Sequence, residues 1–261
     1  MRALTSFQEL YCVSNKTAPV TTEELRSAEA SIGTAFPAGY AELMLTFGEG
    51  DIDGYIRPYR PQRIVEELKM TREALAYDFW EEGTIRLTPE QKARLVPFAD
   101  TIDSDLLAFL PEKPSEIYAF PRHKTELFKL GPSFLDVVNW VSSSGIIVQP
   151  FECTFFQPWN DYASLRLDHP SAYFEIEEMK SIFENLGRPD LLTVKEQSID
   201  FFLRNYGARL SYLLHNDYLQ FIVNFDSETA DDFLSLLKTV LRDTGFQVTE
   251  SNRVKVPENF L

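Results

Sequence analysis

Three carboxylates fall within six residues at Asp100-Thr101-Ile102-Asp103-Ser104-Asp105. That spacing could gather oxygen ligands for a hard cation, or supply a general acid and base. A calcium loop would add a glycine at its sixth position and a glutamate at its end, and this segment has neither. Asp and Ser are also the usual residues of a tight turn between strands, and the turn is the preferred reading. The three histidines, His123, His169 and His215, stand in turn-like contexts with no pair at helical ligand spacing, which argues against zinc. Cys12 and Cys153 sit in apolar or aromatic surroundings outside any CxxC or Cys/His cluster and read as buried, inert thiols. Gly48-Glu49-Gly50-Asp51-Ile52-Asp53-Gly54 has the glycines of a phosphate loop, but it follows a helical pattern and its three carboxylates would repel phosphate. There is no GxSxG elbow and no Walker loop. The expectation is a chain without catalytic residues, metal site or cofactor.

Binding chemistry is better represented. The net charge is −15, from 25 Lys and Arg against 40 Asp and Glu, and the acidic excess is shared almost equally before and after Ser144. Nucleic-acid binding needs clustered Lys and Arg, so it is not expected. An acidic surface steers a protein towards cationic partners, basic nucleases among them, although it also serves solubility alone. Acids in turn-like positions and beside aromatics are the expected partner contacts: Asp51, Asp53, Trp80, Glu81, Glu82, Asp103 and Asp105. Phe79-Trp80 beside these acids reads either as a pair of interface anchors or as a helix end docking on the core, and the second is the preferred reading. The first residues lack the apolar stretch of a signal peptide, and no window approaches the roughly 18 apolar residues of a membrane span. A cytoplasmic protein without membrane contact is expected.

The elements that must position these residues follow from capping and periodicity. Thr21-Thr22-Glu23-Glu24 is a capping box opening a helix with Leu25, Ala28 and Ile32 on one face, stopped at Gly33. A second helix is expected from Phe36-Pro37, with Tyr40, Leu43, Met44 and Phe47 in register and Gly48 at its end. Asp51 to Ile56 reads as a turn into a strand. Ile64, Leu68 and Leu75 mark another helix, and Thr88-Pro89-Glu90-Gln91 another cap. Four short apolar runs, beginning at Leu95, Leu106, Ile117 and Leu127, are joined by connectors of hairpin length and predict an antiparallel meander. Ser133 then opens a helix carrying Phe134, Val137, Val138 and Val141. Ile146 to Val148 and Phe151 to Phe156 are apolar enough to add strands, and a domain boundary is expected near residue 158. Beyond it the pattern predicts a helix from Phe174 to Leu186 and a second, from a Thr193-x-x-Glu196 capping box, to about Asn205. A hairpin around His215-Asn216-Asp217, a helix from Glu228 to Asp243 and a strand at Phe246 to Val248 follow. The fold class is therefore α+β, an antiparallel sheet packed on helices over 1–158 followed by a smaller α+β unit over 159–261.

The first 145 or so residues resemble the SUKH superfamily, which includes Smi/Knr-type cell-wall regulators, the Syd protein and many bacterial immunity proteins. The residues that carry the likeness begin with Thr22-Glu23-Glu24-Leu25, Ile32-Gly33, Phe36-Pro37-Ala38-Gly39-Tyr40 and Phe47-Gly48-Glu49-Gly50. Val96-Pro97-Phe98-Ala99-Asp100, Asp103-Ser104-Asp105-Leu106-Leu107, Ile117-Tyr118 and Ser133-Phe134 with Trp140 complete it. The resemblance implies a sheet packed on helices and, in bacterial members, neutralisation of a toxin by direct binding, with no catalytic residues. The long insert between Ile64 and Gln91 departs from the pattern, and the region after about Gln157 is not covered. The leading expectation is an immunity protein whose partner is a cationic toxin domain. The alternatives are a regulatory scaffold of the Smi/Knr or Syd kind, and a metal-dependent enzyme using the Asp100–Asp105 acids.

Overall fold

The structure is a computed structural model that describes residues 2–75, 79–169, 175–195, 198–215, 218–242 and 244–256. Two compact units form. Met1–Tyr11 and Thr17–Pro158 make the first, and Cys12–Lys16 with Trp159–Leu261 make the second. The architecture is α+β. Among the described residues, no helix is long and apolar enough to cross a membrane.

A two-residue strand, β1 (Tyr11–Cys12), of which Tyr11 belongs to the first unit, precedes helix α1 (Thr22–Ile32). The capping box forms as its residue types require: Thr21 Oγ1 accepts from the Glu24 N–H at 3.1 Å, and the Glu24 carboxylate accepts from the Thr21 N–H at 2.7 Å. Helix α2 (Tyr40–Thr46) starts later than proline placement suggested. Gly39, at φ +84°, turns the chain into it, and Phe36-Pro37 is lead-in. Strands β2 (Gly50–Ile52) and β3 (Ile56–Pro58), helices α3 (Pro61–Leu75) and α4 (Pro89–Lys92), and strands β4 (Val96–Thr101), β5 (Leu106–Leu110), β6 (Lys113–Phe120) and β7 (Phe128–Lys129) follow. Helix α5 (Phe134–Ser143) is capped by Ser133, and β8 (Phe155–Pro158) closes the unit.

The described strands make one sheet in the order β1-β8-β2-β3-β4-β5-β6-β7, antiparallel from β8 to β7. Ile146 to Val148, expected as a strand, forms bends instead, and β8 returns to pair with β2. Tyr40 of α2, Phe98 of β4, Phe109 of β5 and Phe134 of α5 are fully buried and meet edge to face or tilted, with Phe98 centroids 5.3 Å from Phe134 and 5.7 Å from Phe109. This aromatic cluster ties the helices to the middle of the sheet.

In the second unit β9 (Tyr162–Asp168), α6 (Ile176–Glu184), β10 (Leu191–Lys195), β11 (Ser198–Leu203), β12 (Ala208–His215), β13 (Tyr218–Asp226), α7 (Ala230–Leu241) and β14 (Gln247–Asn252) form a sheet ordered β10-β11-β12-β13-β9-β14. Alternate residues Leu165, Leu167, Ile199, Phe201, Leu210, Tyr212, Phe221 and Val223 are buried with Met179 and Phe183 of α6 and with Phe233 and Leu237 of α7. The helix expected from Thr193 to about Asn205 is instead the pair β10 and β11. Ile199, Phe201 and Leu203 alternate at the strand period, and that burial overrides a Thr-x-x-Glu spacing whose Glu196 lies outside the described residues. The hairpin turn residues Asn216 and Asp217 also lie outside the described residues, whereas His215 and Tyr218 pair across it.

Candidate functional site

The cluster singled out by its carboxylates is the turn between β4 and β5, and its three acids do not converge. Asp100 is buried on β4, where Arg57 of β3 holds it with two bonds of 2.8 Å and also reaches Thr101 O. Burial pushes the Asp100 carboxyl above its ordinary range, against the opposing pull of Arg57. Asp105 is 3% exposed: Oδ2 accepts from Thr101 Oγ1 at 2.6 Å and Oδ1 accepts from the Arg122 N–H at 2.9 Å. It clamps its own turn to the loop after β6. Asp103 points outward, and Tyr55 donates to it from the β2–β3 turn at 3.0 Å. Burial, then Asp103, raises the Tyr55 hydroxyl pKa. Among the described residues, no group of three or more His, Cys, Asp or Glu side chains is placed to hold a metal ion.

In an antiparallel meander the β2–β3, β4–β5 and β6–β7 turns lie at the same end of the sheet, and side chains tie them there. The Ile102 N–H donates to Tyr55 O at 2.9 Å, joining the first two turns, and Asp105 with Arg122 joins the second to the third. Asp53, at φ +54°, accepts from both the N–H and the hydroxyl of Thr154, at 3.1 and 2.9 Å, so it fastens the first turn to the segment entering β8. Asp51 lies half-buried within β2, paired with Gln157 of β8. Trp80 is an anchor towards the inside: its indole donates to Pro121 O at 2.9 Å and stands edge-on to Phe120 at 5.2 Å. Glu81 and Glu82 are exposed, and Glu82 accepts from Thr125 Oγ1 at 2.6 Å.

All seven expected contacts thus belong to this end or to the strand leading into it, but they divide. Asp51, Asp53, Trp80 and Asp105 build the end, whereas Glu81, Glu82 and Asp103 are presented to solvent. Two apolar residues are presented with them, Ile102 at 57% and Phe79 at 48% exposure. An isoleucine set between acids in a hairpin turn was the available signal for the first. Arg122, His123, Lys124 and Glu126 are exposed on the β6–β7 loop, so that loop adds two cations and a further acid to the acids of the neighbouring turns.

Residues 19–140, from just before α1 through most of α5, match the model of the SMI1 / KNR4 family (SUKH-1). Residues 19–140 are of the SUKH type. No curated protein and no solved structure matches the chain. The SUKH segment contains the β2–β3, β4–β5 and β6–β7 turns and the Trp80–Glu82 segment, while β1 and β8, which extend the same sheet, lie outside the match. SUKH domains are in general non-catalytic and bind partner proteins. The chemistry of this sheet end suits that role: apolar side chains for contact area, carboxylates fixed by hydroxyl donors, and turns locked to one another before any partner arrives.

Proposed function

We propose that this chain is an immunity-type binding protein that neutralises a cationic toxin domain, a basic nuclease being the favoured class, by direct association. The observation that supports this most is the composite sheet end inside the SUKH segment, where exposed Ile102 and Phe79 stand among Glu81, Glu82 and Asp103. A partner that covers these turns would bury two apolar anchors and meet carboxylates with its own Lys and Arg. Occluding the partner's basic active-site face is then sufficient for inhibition and needs no chemistry from this chain. Arg122 and Lys124 stand with Glu126 on the β6–β7 loop, so that loop offers a partner both signs of charge and adds selectivity between basic proteins.

Co-expression with the product of the adjoining gene tests the proposal. The expected result is co-purification at fixed stoichiometry and protection of the host cell, both weakened by Ile102→Arg. Absence of association and of protection would remove the toxin reading.

A further inference from the structure

Beside the end of β13, within the second unit, a cleft of about 600 Å³ is lined by polar side chains. Asp226, the last residue of β13, forms part of its wall and is only 5% exposed. Its Oδ2 accepts from Ser14 Oγ at 2.9 Å; the Asn160 amide lies close enough to favour the charged carboxylate, but among the described residues none meets the buried Oδ1 with hydrogen-bond geometry. A buried carboxylate oxygen in that state is costly unless something answers it. The carboxylate is accommodated because the chain opposite is Gly207, at φ +53°. A Cβ there would come within 2.3 Å of the Asp226 Cγ.

The charges of the cleft do not balance. Lys16 pairs with Glu228 at 2.8 Å, and Arg253 pairs with Asp161. Three carboxylates therefore face two cations, each already matched, and the negative charge left over sits on the most buried acid. Holding Ser14 in place accounts for Oδ2 alone, and a neutral acceptor would do that without burying a charge. Burial, with Glu228 adding to it, holds the Asp226 carboxyl above its usual range despite Ser14, Lys16 and Asn160. An anionic ligand is disfavoured by the same carboxylates. These three carboxylates are not grouped as metal ligands, and among the described residues no such group is placed to hold a metal ion, which leaves an organic cation as the better-matched ligand.

We propose that this cleft binds an ammonium or guanidinium group, with Asp226 as its counter-ion and the Glu228 and Asp161 carboxylates at the mouth. The site lies outside the SUKH segment and does not depend on the sheet-end reading. Titration calorimetry of the full chain with agmatine, with spermidine and with a short arginine-containing peptide tests it. Saturable 1:1 binding of at least one probe is expected, weakened tenfold or more by Asp226→Asn. That variant keeps an acceptor for Ser14 and removes a charge that burial already disfavours, so it should fold. Lys16→Met, which frees Glu228, should tighten binding several-fold, a change that a purely structural role for Asp226 would not produce. Binding of the free amines assigns the cleft to a small molecule, and binding of the peptide alone assigns it to a side chain of a protein partner. Equal affinity of wild type and Asp226→Asn, or no binding of any probe with Asp226 Oδ1 satisfied by an ordered water only, would overturn the proposal.

Discussion

Asp103 and Asp105 are two residues apart and alike in the sequence, yet one faces solvent and the other holds the sheet end together. The difference is set by residues far away: Arg122 and Thr101 take both oxygens of Asp105, whereas Tyr55 meets only one face of Asp103. A sequence shows that acids cluster but not which of them meets a donor across the fold, so the site was legible as a set of turns and not as a surface. Asp105→Ala strands a buried amide and hydroxyl and should cost about 2 kcal/mol in urea unfolding. Asp103→Ala should stay within about 0.5 kcal/mol of wild type while weakening partner association. Removing Arg57 leaves Asp100 buried without its guanidinium, and Arg57→Ala should cost about 3 kcal/mol in the same assay.

Elements announced by local chemistry were readable, and elements decided by distant pairing were not. The capping boxes at Thr21 and Thr88 and the four meander runs stand where their residue types place them, because caps and hairpins are settled within a few residues. Strand β1, two residues long, had no signal, and β9 was passed over although Tyr162 to Asp168 alternates in burial along its length. The segment Cys12–Lys16 belongs to the second unit through contacts such as Ser14 with Asp226, a relation no local pattern encodes. Gly48, at φ +78°, pairs with Ala18 so closely that a Cβ would lie 1.9 Å from the Ala18 oxygen. Gly48→Ala should therefore cost more than about 1 kcal/mol in thermal or urea unfolding.

Helix α1 makes a pH prediction of defined sign. Arg60 first, then the Thr21 backbone, lowers the Glu24 carboxyl from 4.5 to about 2. A depressed acid stabilises the fold fully above its unfolded value and loses that contribution as pH falls through the folded one. The stability gap between wild type and Glu24→Gln should thus be constant above 4.5 and close progressively towards 2. Because the side chain is partly exposed, water screens the Arg60 interaction, and the electrostatic part of the gap should be under about 1 kcal/mol.

At the scale of the whole molecule, a charge of −15 spread along the chain suits the proposed basic partner but does not say where it would bind. The proposed function places the contact at one end of one sheet, where the turns of the SUKH segment are joined. Association driven partly by exposed charge should weaken with salt, chiefly through the on-rate, whereas loss of Ile102 should act chiefly on the off-rate. The most direct test is titration of the adjoining gene's product into this chain at low and moderate salt, with wild type, Ile102→Arg and Asp103→Ala compared. Binding that weakens at least tenfold in Ile102→Arg, less in Asp103→Ala, and further with salt is the predicted result. Tight binding indifferent to both substitutions would contradict the assignment of the sheet end as the binding surface.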